Sequence, residues 1–141
     1  MAQQTPLEAI GGTEKARGVM GTFYEKLLGH EATAGFFAGM TDERKAQIQT
    51  AVGDVVIGLL ASPESVVLDK TTLEDMRRVH RHLKMPFRAY DTGVGLLVES
   101  FEETPGGNAA VERLQGPASQ LREYIPVQGP EAQGRGAIDY F

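Results

Sequence analysis

The chain contains no cysteine. Disulfides, thiolate metal sites and thiol nucleophiles are therefore excluded, and the composition suits a reducing compartment such as the cytoplasm. No apolar run approaches membrane-spanning length, so no membrane role is expected. The opening residues, from Met1 to Pro6, lack the basic start and apolar stretch of a signal peptide. Positive charge is not in excess either. Fourteen Lys and Arg stand against nineteen Asp and Glu, a net charge of −5 with both signs mixed along the chain. That argues against a nucleic-acid surface. No segment alternates with the period of a strand, and no internal repeat is evident.

What is present is helical periodicity. A chain of 141 residues forms one domain and buries a core without help. Residues 1–12 read as one short turn of helix, with Leu7 and Ile10 apolar, stopped by Gly11-Gly12. Thr13 starts a second helix. Its stripe of Ala16, Val19, Met20, Phe23, Tyr24 and Leu27 follows the i, i+3, i+4, i+7 pattern and ends at Gly29. Residues 29–40 form an irregular corner with Phe36-Phe37. Thr41 caps a third helix with Asp42 and Glu43 at its positive end, and Ala61-Ser62-Pro63 ends it. A loop from Pro63 to Lys70 follows. Beyond Pro86, Phe87, Tyr90, Val94, Leu97 and Phe101 repeat on one side of another helix. Thr104-Pro105-Gly106-Gly107 breaks it. Asn108 opens a last helix, which Gly116-Pro117 should kink. From residue 126 the chain has no period and reads as a flexible tail behind a domain of residues 1–125. The fold class is all-α, with about six helices.

The chemistry centres on the segment from Leu73 to Met85. Thr71 with Glu74 three residues on is a capping-box pattern that opens this helix. Leu73, Met76, His80 and Leu83 share one side, while Asp75, Arg78, Arg81 and His82 point elsewhere. His80 thus stands within an apolar stripe. A buried hydrogen bond to a carbonyl and a metal are the two reasons for an imidazole there, and spacing alone favours the first. Arg77, Arg78, Arg81 and Lys84 form a local basic cluster: a solvated face, or a holder for an anionic ligand group.

The order of elements resembles the truncated haemoglobins, most closely their first group. The matching pieces are Ile10-Gly11-Gly12, Phe23-Tyr24-Glu25, Phe36-Phe37-Ala38-Gly39, Lys45 to Gln49, Arg78-Val79-His80, the helix from Phe87 through Tyr90, and Pro117. The resemblance runs from about Leu7 to Ile125. Two departures stand out. Leu60-Ala61-Ser62-Pro63 replaces a frequent Gly-Gly-Pro break, and Lys45 lies where Leu, Gln or Thr is more usual.

The resemblance implies a two-over-two helical sandwich around haem b, iron protoporphyrin IX. It makes His80 the proximal iron ligand, offered by a rigid element to an apolar slot. Tyr24 would donate a hydrogen bond to iron-bound dioxygen, and Gln49 would do the same or orient the tyrosine. Phe37, with Phe36, would pack on the porphyrin. Leu73, Met76, Leu83, Tyr90, Val94 and Leu97 would wall the pocket, with Arg77 and Arg81 meeting the propionates. Lys45 has three readings: a solvated lysine, a propionate partner, or a distal iron ligand. The expected ligands are O2, NO and CO, with NO dioxygenation fed by a reductase or other electron donor. A monomer or weak homodimer is expected. Two alternatives remain at this point: a six-coordinate haem protein for electron transfer or sensing, and a haem-free helical interaction module.

Overall fold

The computed structural model describes residues 4–126, apart from the side chains of Val79 and His82. The tail expected from residue 126 and the surface placing of His82 fall outside the described residues, save that Pro126 itself is buried. Six α-helices and two 3-10 turns form the described chain, and no strand occurs among the described residues.

The first helix, α1 (Pro6–Ala9), is a single turn held by a reciprocal cap. Glu8 N donates to Thr5 Oγ1 at 3.1 Å, and Thr5 N donates to Glu8 Oε1 at 2.8 Å. Two otherwise unmatched backbone donors are thereby satisfied, so a very short helix can persist. Gly11 and Gly12 then take φ of +107° and +103°, a left-handed pair that turns the chain sharply into α2 (Thr13–Gly29).

The next long helices are α3 (Asp42–Ala61) and α5 (Phe87–Glu102), and α6 (Asn108–Leu121) is the last. As the hydroxyl-first sequence implies, Thr41 Oγ1 caps α3 by accepting from Arg44 N at 3.0 Å. The four long helices pack in a closed ring, α2 on α3, α3 on α6, α6 on α5 and α5 on α2. This is the expected two-over-two arrangement. The core at its centre includes Met20, Phe23, Leu60, Phe101 and Leu114, and α1 closes one end against α3 and α6. A Cβ on Gly106 would run into the Ala9 carbonyl, so the turn after α5 approaches α1 only because residue 106 has no side chain. Pro117 lies buried inside α6, which continues past it to Leu121.

Helix α4 (Lys70–His80) starts and stops differently from the sequence expectation. Its cap is Asp69, whose Oδ1 accepts from Thr72 N at 2.8 Å, so the Thr71–Glu74 box is not what opens it. A carboxylate makes the stronger acceptor at a helix N-terminus, where the dipole also favours negative charge. That same N–H holds the Asp69 carboxyl below its usual pKa. At the other end the α-helix stops at His80. It tightens into a 3-10 turn, Arg81–Leu83, and Lys84 adopts φ +50°. Pro86 disfavours helical backbone at Met85, so the chain must leave the helix before that point.

Two side chains of α6 fix the loop ahead of α4. Arg113 Nη1 donates to the carbonyls of Leu59 at 2.8 Å and Ser62 at 2.6 Å, closing the end of α3. Gln120 Nε2 donates to Leu68 O at 3.0 Å, while Leu68 N donates to Gln120 Oε1 at 2.8 Å. Val66 and Leu68 pack on the core, but Val67 between them is 82% exposed. The path left open by the missing Gly-Gly-Pro break is thus set by side chains from α6.

Tyr90 ties α5 to α6 through a hydrogen bond from its hydroxyl to Ala118 O at 2.6 Å. Replacing it with phenylalanine removes that bond and leaves the ring. Urea unfolding should show a loss of about 1 kcal/mol with an unchanged denaturant slope.

Candidate functional site

The α2 stripe buries Tyr24, which is 7% exposed. Its ring meets Phe23 edge-on at 5.2 Å between centroids and Phe37 edge-on at 6.3 Å. Tyr24 thus touches the Phe36-Phe37 corner through the Phe37 ring. The corner itself is a 3-10 turn, Ala34–Phe36, with Phe36 and Phe37 half-buried. Buried Thr33 anchors it, its Oγ1 donating to Leu27 O at 2.6 Å.

The Tyr24 hydroxyl has no hydrogen-bond partner among the described residues. A buried phenol without a partner loses its water and receives nothing in return, which costs about 1–3 kcal/mol. Burial also raises the Tyr24 pKa far above the ordinary value, so the group is a neutral O–H donor at physiological pH. The other buried tyrosine behaves differently. Tyr90 is pushed up to about 12, by burial first and by neighbouring Asp91 second, yet its hydroxyl is bonded to Ala118.

His80 closes α4 and is half-buried. Its Nδ1 lies 2.8 Å from Met76 O. A carbonyl only accepts, so Nδ1 carries the proton in this contact, and the lone pair of the neutral ring belongs to Nε2. The carbonyl bond and a metal bond would thus engage different nitrogens, and the two readings of this histidine are compatible. Such a bond fixes ring orientation and raises the basicity of the other nitrogen. On the same helix Leu73 is buried and Met76 half-buried, and Leu83 in the following turn is half-buried too. Among the described residues no group of three His, Asp or Glu side chains gathers to hold a bare ion. Haem brings four nitrogen donors of its own and needs only one imidazole from the chain.

The remaining residues are spread around these two. Gln49 is half-buried on α3 and faces α2, 3.9 Å from where a Cβ on Gly21 would stand. With Arg17, Met20, Ala46, Thr50 and Gly53 it lines a depression of about 180 Å³. Gly21 precedes Tyr24 by one turn, so Gln49 approaches α2 on its Tyr24 side. Lys45, one turn before Gln49, is half-buried and has no ion-pair partner among the described residues. Val94 and Leu97 are half-buried on α5. Arg77 lies with its guanidinium 4.6 Å above the Tyr124 ring, while Arg81 is exposed. Arg113 and Gln120, which hold the loop leading to His80, had no signal in the sequence. Their partners lie more than fifty residues away, beyond any local pattern.

No protein-family model and no curated protein sequence matches the chain. Solved structures do match. One is the crystal structure of THB4 from Chlamydomonas reinhardtii, a truncated haemoglobin. The alignment covers 86% of this chain and 94% of that one, with a TM-score of 0.68 and 20% identity. At that identity the likeness is one of fold, and the chain has the truncated haemoglobin fold.

In the haem-free chain, Tyr24→Phe should raise stability by about 1 kcal/mol, because it deletes an unsatisfied buried hydroxyl and keeps the ring. Urea unfolding of the two proteins side by side measures it, and a loss of stability would mean the hydroxyl is bonded after all. Both raised tyrosine pKa values carry the same sign. The neutral phenols favour the fold fully below the unfolded value near 10, and that contribution is lost as pH rises towards the folded value, about 12 for Tyr90. Alkaline unfolding followed by phenolate absorbance should therefore show late ionisation that coincides with loss of helix.

Proposed function

We propose that this chain is a haem b protein that reversibly binds diatomic gases, with His80 as the iron ligand and Tyr24 as the donor to a bound ligand. The observation that carries this reading is the pairing of an unpartnered buried phenol at Tyr24 with an imidazole oriented by a carbonyl at His80. The buried phenol costs stability in the haem-free chain, and an occupant held by His80 and accepting from Tyr24 would relieve that cost.

When bound, haem would supply the iron that takes up O2, NO or CO and, with NO as second substrate, the oxidation of NO to nitrate. The chain's own residues supply the rest. The Met76 carbonyl holds the His80 ring in one tautomer and orientation. Tyr24 would donate a hydrogen bond to a ligand atom bearing partial negative charge, and Gln49 would add an amide donor or steady the phenol. Phe36, Phe37, Leu73, Met76, Leu83, Val94 and Leu97 give an apolar lining, with the Tyr90 ring beside them. Apolar walls exclude water and strengthen each hydrogen bond within. Arg77 stacks on Tyr124 through its face, which leaves its N–H edge available for a propionate, and Arg81 offers a second cation. The setting proposed is the cytoplasm, with a separate electron donor.

A second reading rests on Lys45. It is half-buried with no anionic partner among the described residues and shares a helix with Gln49, and in this reading it would act as an internal distal ligand. The protein would then be six-coordinate and suited to electron transfer or sensing.

Absorption spectra of the haem-reconstituted protein, ferric and ferrous, test both. High-spin ferrous bands support the gas-binding reading, low-spin bands without added ligand support the second, and no Soret band after haem addition overturns both. In His80→Ala the Soret maximum should shift and haem affinity should fall at least tenfold. Tyr24→Phe should speed O2 dissociation by about tenfold, the equivalent of about 1.4 kcal/mol for one charge-assisted donor, while CO, less polar when bound, changes less.

A further inference from the structure

The chain is acidic, but its charge is not evenly spread. Residues 70–88 carry six cations, Lys70, Arg77, Arg78, Arg81, Lys84 and Arg88, against Glu74 and Asp75, a net of +4. The rest of the chain holds the −9 that brings the total to −5. All six cations are exposed. Among the described residues only Arg78 forms an ion pair, with neighbouring Asp75 at 3.1 Å, and that pair is itself exposed. Elsewhere the exposed cations Arg17 and Arg122 are matched across helices by Asp54 and Asp91, as is the more covered Lys26 by Glu99 and Glu103. Lys15, Arg44 and Lys45 also lack ion-pair partners among the described residues, but they lie singly or beside Asp42 and Glu43, whereas residues 70–88 gather unmatched cations in one segment.

Its position gives this meaning. Arg78 stands two residues before His80, about 200° around α4, so the two side chains leave the helix on opposite sides. Lys70, eight residues before Arg78 and about 80° around the helix from it, flanks this outward side at the start of α4. Thr71, Glu74, Asp75, Arg77, Arg78 and Arg81 line a shallow depression there of about 330 Å³. A partner seated on this face lies one helix diameter, about 10 Å, from the imidazole.

We propose that the outward face of α4, centred on Lys70 and Arg78 and continued by Lys84 and Arg88, is a docking surface for an acidic electron-donor protein. The identity of the cargo rests on the haem reading above. With haem bound, the reduced donor would lose one electron and the ferric iron would gain it, with no atom transferred. Unpaired surface cations add little to the stability of the fold but accelerate and orient encounter with an oppositely charged partner. A second copy of this chain also offers acidic surface. It would have to dock head to tail, an arrangement that does not close unless its rotation forms a ring.

The test uses flavodoxin, an acidic one-electron flavoprotein, as probe, with the full chain in haem-free and haem-loaded forms. Association is measured by titration calorimetry and by amide shifts at low and high salt. Lys70→Glu with Arg78→Glu is compared with Lys15→Glu plus Arg44→Glu, which makes the same change in net charge on exposed positions of α2 and α3. The expected result is salt-sensitive binding weakened about tenfold or more by the first pair and less than threefold by the second. Equal weakening by both pairs, absence of binding at low salt, or self-association through Lys70 and Arg78 in sedimentation would each overturn the proposal. The two readings fail separately. Flavodoxin bound through Arg78 to a chain that takes up no haem leaves the surface standing and removes the haem. A normal haem spectrum with no dependence on Lys70 and Arg78 does the reverse.

Discussion

Arg113 and Gln120 lie two turns apart on α6 and hold the two ends of the loop that delivers α4. Without them, the helix bearing His80 would hang from the connection of residues 62–69, which includes the exposed Val67. Among the described residues α4 packs mainly on α6 rather than on the helices that carry Tyr24 and Gln49. Its orientation is therefore set mainly by α6, and on its apolar side Leu73 is buried while Met76 and His80 are half-buried. The arginine closes carbonyls that the end of α3 leaves unmatched, and the glutamine imitates one rung of a strand pair with Leu68. Both act on backbone, so the loop sequence is free to vary while its path stays fixed.

The sequence was most readable where structure is local. The stripe of α2, the hydroxyl cap of α3 and the reversal at Gly11-Gly12 follow from rules that span four residues or fewer, and each corresponds to what the chain does. It was less readable where two local rules compete. Thr71 with Glu74 has the form of a capping box, but Asp69 stands two residues earlier and supplies a charged acceptor, so the helix starts there. Pro86 was rightly read as a boundary. Its reach back through a 3-10 turn to His80 depends on how the chain exits, which no period reports. Least readable were the long-range contacts, of which Arg113 with Ser62 and Gln120 with Leu68 are the clearest.

At the site the pattern is similar. The stripe of α2 places Tyr24 inward, while the contact between its ring and Phe37 joins residues thirteen apart and has no local signal. Sequence could not say whether the hydroxyl would find a partner, since any of several carbonyls nearby would serve, as Ala118 serves Tyr90. The contrast between these two tyrosines is informative because their burial is alike. One is bonded and braces two helices; the other is unsatisfied. Natural cores satisfy nearly all such groups, so an exception is where an occupant is to be sought. His80 posed the converse problem. Sequence presented a carbonyl and a metal as rivals for one imidazole, but the Met76 bond uses Nδ1 and so defines which nitrogen a metal would meet.

These features bear on one another through α4. Its inward side carries His80, with Nε2 as the nitrogen a metal would meet, and its outward side is rich in exposed cations in a chain that is otherwise acidic. A helix this short gains little from its own hydrogen bonds, so its ordering depends on what packs against it. With α6 as its main fixed neighbour, an occupant on the His80 side would add the missing packing and damp motion of the cationic side at the same time. Gas affinity and partner docking would then be coupled through the rigidity of eleven residues, and loosening the Gln120 grip on Leu68 would weaken both without touching either surface.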